Sequence, residues 1–208
     1  MRALLLQRFV VQKWSLIFAM ALCLLLNFVH FSFVDSPSIG LVIVVISATL
    51  VENLYRGDRQ VNWEVFVNSL PLSKKAQLQS DFLYCYGLIT LLFLFIAPIY
   101  FSQPEASTDF LEHFAMYFAY ISSAYFLICS QFYIQQLQEK EGMRTIRMLS
   151  ATLLIILLNF VVHYYLSLVA GNLFTLVLPT IVSILISVLT FHKCLPFIYD
   201  KRNLLTIH

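Results

Sequence analysis

The run "SATLLIILLNFVVHYYLSLVA", Ser150 to Ala170, has apolar residues on every side of a helical wheel and no charge. A helix on the surface of a soluble core shows an apolar stripe on one side and a polar face on the other. A hydrocarbon layer of roughly 30 Å takes about 20 apolar residues to cross as a helix, and this run is long enough. Its polar residues Thr152, Asn159, His163 and Ser167 fall on roughly one face. The reading is a transmembrane helix with one polar edge, so the bilayer decides the fold.

Composition agrees with that reading. The chain of 208 residues is 60% hydrophobic and 12% charged, more apolar side chain than one soluble core can use. Six apolar runs are counted, at about 15–34, 38–55, 82–102, 113–134, 150–170 and 172–191. The prediction is an all-α integral membrane protein with six transmembrane helices, an N-terminal interfacial helix and one transmembrane domain over 1–208. "DSPSIG" at 35–40 is a short turn that makes spans one and two a hairpin. Gly171-Asn172 is shorter still and predicts a half-inserted turn between spans five and six.

Several function classes drop out. A formal charge of +2 argues against a nucleic-acid partner. Cys23, Cys85, Cys129 and Cys194 form no C-x-x-C and are expected as small buried hydrophobes, not as a metal or redox site. Arg8 and Lys13 interrupt the first apolar stretch and no small-x-small site follows, so no cleavable signal is expected. No Lys, Arg or Glu stands at the centre of a span, which counts against an ion-coupled carrier; Glu52, near the inner end of span two, is the one candidate. His30 and His163 have no evident nucleophile beside them, which disfavours an intramembrane enzyme.

The basic residues set the orientation. All 13 Lys and Arg lie before span one, between spans two and three, between four and five, or after six. Asp35, Glu105, Asp109 and Glu112 fall on the opposite side. Both termini are therefore expected in the cytoplasm. "RALLLQRFVVQKW" spaces charges at 2, 8 and 13 and fits a helix lying in the cytoplasmic interface, with Trp14 at headgroup level; an early start of span one is the alternative. On the outer side Asp109 and Glu112 form a capping pair for span four; Asp109 with His113 as a metal pair is the weaker alternative.

Between spans two and three lies "VNWEVFVNSLPLSKK", Val61 to Lys75. Trp63, Phe66, Val67 and Leu70 make one apolar stripe at helical spacing, with Glu64 mostly turned away from it. Pro71 ends that helix, and Ser73 caps the next one. Two readings fit these residues: an anchor resting on lipid headgroups, or a rigid knob that docks into a cytoplasmic partner. The residues Trp63-Glu64, Ser69-Leu70-Pro71 and Ser73-Lys74-Lys75 resemble the first cytoplasmic loop of type-2 ATP-binding-cassette (ABC) transporter permeases, especially short bacterial ones. The sequence differs from that pattern at Ser80-Asp81, where many members have Lys-Tyr.

The resemblance implies that 61–70 is a cytoplasmic coupling helix whose Trp63, Glu64, Phe66, Val67, Leu70, Pro71 and Ser73 contact an ABC ATPase subunit. It implies a second permease subunit, a bacterial cell membrane, and export of an amphipathic peptide, lipid or drug. No G-x-x-x-x-G-K-[ST] occurs, so ATP hydrolysis is expected only in a partner, with no cofactor or metal in this chain. The alternative is a non-transporting sensor or immunity protein that docks the same partner. "QQLQEKEGMRTIRML" at 135–149 is read as a solvated helix extension, with a second partner contact as the lesser option.

Small and hydroxyl residues recur every fourth position in span six: Thr175, Pro179, Ser183 and Ser187. With Asn159, His163 and Ser167 they form either a packing face or a translocation surface. The span-six stripe and the surface of span one are the two candidate seams for a dimer.

Overall fold

A computed structural model describes residues 2–11, 13–28, 39–60, 74–101, 110–136, 141–169, 177–189 and 191–192, all of them helical. In chain order the helices are α1 Arg2–Val11, α2 Lys13–Phe28, α3 Ile39–Gln60, α4 Lys74–Phe101, α5 Phe110–Gln136, α6 Glu141–Val169 and α7 Val177–Leu189. Segments 29–38, 61–73, 102–109 and 170–176 lie outside the described residues. The turn expected at 35–40 falls within them as far as residue 38, while Ile39 and Gly40 open α3; the turn at 171–172, Asp109 and the whole 61–70 helix also fall within them.

Two of these helices contain stretches long and apolar enough to cross a membrane, Ala76–Phe101 and Gly142–Leu166; Val177–Leu189 is apolar but shorter. They coincide with the third, fifth and sixth apolar runs. In Gly142–Leu166 only 11% of the apolar window is buried. Leu153, Leu154, Leu157, Leu158, Val161 and Leu168 are exposed, the outer surface of a helix whose solvent is hydrocarbon.

The core is the seam of α3, α4 and α5. Ile43, Val51 and Leu54 of α3 meet Ile89, Leu92 and Ile96 of α4 and Leu127 and Ile128 of α5, all of them buried. Gly40 lets α3 and α5 approach closely: a Cβ there would overlap the ring of Tyr120. Gln131 of α5 donates to the carbonyl of Ala48 and pins the same pair lower down. In turn α6 packs extensively on α5.

The N-terminal segment is a helix of its own, with α1 packed on α4 and α2. Lys13 sits over the ring of the exposed Trp14, 5.7 Å from its centroid. Arg8 departs from the expected pattern of interface charges, because it is buried inside the protein. After α5, α6 begins at Glu141, so Arg144 and Arg147 stand on its first turns as a helix extension. Arg144 Nη1 donates to Gln135 Oε1 at 3.1 Å, tying that extension to the end of α5.

Candidate functional site

Two polar constellations stand out in an otherwise apolar body. The first joins α5, α6 and α7. Ser122 Oγ lies 2.6 Å from Asn159 Oδ1 and 2.7 Å from Ser183 Oγ, so one hydroxyl bridges three helices. Asn159 also donates to the carbonyl of Ile155 at 2.9 Å. One turn further along α6, His163 Nδ1 lies 2.9 Å from the carbonyl of Asn159, and Nε2 lies 3.1 Å from Thr180 Oγ1. A carbonyl only accepts, so Nδ1 holds the proton and Nε2 accepts from the threonine in the neutral ring.

Ser187 continues the line, with its Oγ 2.9 Å from Tyr86 Oη. Cys129 Sγ lies 3.3 Å from the carbonyl of Ser187. Of the residues expected on this face, Asn159, His163, Ser183 and Ser187 are all buried and turned inward among α4, α5, α6 and α7. The side chain of Ser167 lies outside the described residues. Beside His163 an apolar groove of about 270 Å³ opens between α5 and α6, lined by Ala115, Met116, Ala119, Phe160, Val161 and Tyr164. Both histidine nitrogens are already bonded, so the groove offers an incoming molecule apolar contact.

The second constellation was not anticipated. Arg8 of α1 forms a two-pronged pair with Asp58 of α3 through Nη1 and Nη2, the latter at 2.7 Å. It forms another with Asp81 of α4 through Nε at 2.8 Å and Nη2 at 3.2 Å. All three side chains are at least nine-tenths buried. Burial opposes the Arg8 charge, and the two carboxylates outweigh it, holding the guanidinium above its ordinary range. Asp58 lies in the last turn of α3 and Asp81 near the start of α4, so the triad spans the two helices that enter and leave segment 61–73.

The sequence did hold a signal for this triad. Asp58 and Asp81 are carboxylates at span ends on the basic side, and buried acids need a partner. Next to Asp81, Phe82 stacks on Phe191 with ring centroids 3.6 Å apart and meets Phe132 at 5.8 Å. Phe9 of α1 meets Tyr84 edge-on at 5.0 Å. The base of α4 therefore gathers α1, α3, α5 and the chain just past α7.

A bundle of apolar helices with interior polar seams defines a membrane protein, and comparison with known families gives its class. The family model described as ABC-2 family transporter protein matches residues 3–199. The chain belongs to the ABC-2 transporter family, as the membrane component that works with an ATP-binding partner. No curated protein and no solved structure matches it.

Proposed function

We propose that this chain is the permease subunit of an ABC exporter, with six spans and both termini in the cytoplasm of a bacterial cell. Two permease subunits and two ATPase subunits form the working unit, because six spans make half of a pathway. The substrate is an amphipathic molecule, a peptide, lipid or drug. Segment 61–70 is the coupling helix, with Trp63, Phe66, Val67 and Leu70 in an ATPase groove, Glu64 orienting it, and Pro71 and Ser73 shaping its exit. The observation that carries the reading is the family match over 3–199, which includes this segment.

The hydrogen bonds of Asn159, Ser183 and Ser187 favour an internal packing face for the span-six stripe. That leaves the surface of α2, with Ile17, Phe18 and Leu25 exposed, as the favoured seam between permease subunits. The complex with its ATPase, reconstituted in lipid nanodiscs, is expected to hydrolyse ATP faster when an amphipathic cationic peptide is added. Unchanged hydrolysis with a panel of such peptides, lipids and drugs would favour a docking sensor or immunity protein instead.

A further inference from the structure

We infer that Arg8 is a positioning residue for coupling: through Asp58 and Asp81 it fastens the N-terminal helix to both stems of segment 61–73, so that all three move as one body. The inference rests on the docking role proposed for that segment. Its basis is the geometry of the joint. A guanidinium is a planar fork, and its edges engage two carboxylates from two different helices. Such a joint fixes direction as well as distance, which an apolar contact between α1 and α4 would not do.

Stability alone gives little reason for it. Burying three charges costs desolvation that their attraction only roughly repays, and apolar replacements of similar volume are often as stable. What the triad adds is a set orientation among α1, α3 and α4, placed where the chain leaves for 61–73 and returns from it. The rings around Phe82 extend the same rigid base to α5 and to Phe191. A push on the stems is thereby passed to α1 and to the chain just past α7 together.

The experiment uses spin labels at two exposed positions, Leu6→Cys and Leu83→Cys, with the native cysteines replaced, in the permease–ATPase complex in nanodiscs. In the otherwise unaltered protein the expected result is one narrow distance, the same without nucleotide and after vanadate trapping. Arg8→Ala is expected to broaden that distance and to cut permease-stimulated hydrolysis per assembled complex roughly tenfold, inside the usual range of coupling between sites. Arg8→Lys, which keeps the charge and loses the fork, falls between.

Arg8→Ala leaves two buried carboxylates unpaired and can fail to fold. The neutral triple variant Arg8→Gln/Asp58→Asn/Asp81→Asn leaves no lone charge and is expected to show the same broadening and loss. A narrow distance with full stimulation in a folded variant overturns the proposal, and so does a wild-type distance that changes on trapping. Trp63→Ala runs in parallel: retained ATPase binding there defeats the docking reading, and the label distances then decide the joint on their own.

Discussion

Gly40 shows how far one atom matters in this bundle. Replacing a helical glycine by alanine ordinarily gains about 0.5–1 kcal/mol of helix stability. Here the new Cβ would overlap the edge of the Tyr120 ring, nearest to Cδ2 and Cε2 and with Cγ also too close, and the side chain is buried. Overpacking costs typically about 1–3 kcal/mol, so the clash wins. Gly40→Ala is expected to lower the melting temperature in detergent, and Tyr120→Leu in the same chain to recover part of the loss; a Gly40→Ala protein as stable as its parent would contradict the close approach. The Gly40 contact was not legible in the sequence, and the Arg8 triad was legible only in its two carboxylates. Arg8 looks like a surface charge until Asp58 and Asp81, 50 and 73 positions away, are brought beside it. Asp81 was visible as a departure from the loop pattern that the sequence resembles, and in the structure it is one of the two carboxylates that Arg8 engages.

At the scale of elements the sequence spoke clearly, because a bilayer demands long apolar runs and their positions follow from hydropathy. Helices α4, α6 and α7 overlie their runs, and α1 is separate from α2, though Arg8 is buried and not at an interface. What the sequence left open was which way the polar edge of α6 faces, since packing and translocation call for the same small, hydrogen-bonding residues. The structure turns Asn159 and His163 toward α5 and α7. Interhelical hydrogen bonds inside membranes are worth on average about 0.6 kcal/mol and up to about 1.7 kcal/mol. A double-mutant cycle of Ser122→Ala and Asn159→Leu, read by unfolding in mixed micelles, is expected to show a coupling in that range. Strictly additive losses would place the two residues in separate environments. On the opposite face, Leu157→Ala is expected to change stability by less than about 0.5 kcal/mol, as surface changes usually do.

For the whole molecule, the sidedness of the basic residues predicts a topology open to direct test. In a background lacking the four native cysteines, a cysteine at position 60 is expected to react only from the cytoplasm and one at 107 only from outside. Cys85 is fully buried, so alanine is the gentlest replacement there. Labelling in the reverse sense would invert the map and remove 61–73 from any ATPase. The family is shown by the match over 3–199, and what remains to be tried is how force enters the chain. The most direct measurement is the affinity of Trp63→Ala and Glu64→Lys variants for the ATPase subunit. Truncating a buried aromatic anchor costs roughly 2 kcal/mol or more, about 30-fold in Kd. The account predicts at least that loss for Trp63→Ala, and for Glu64→Lys a weaker complex that grows more sensitive to salt. Undiminished binding and transport in both variants would contradict it, and would leave 61–70 as an anchor on the lipid surface.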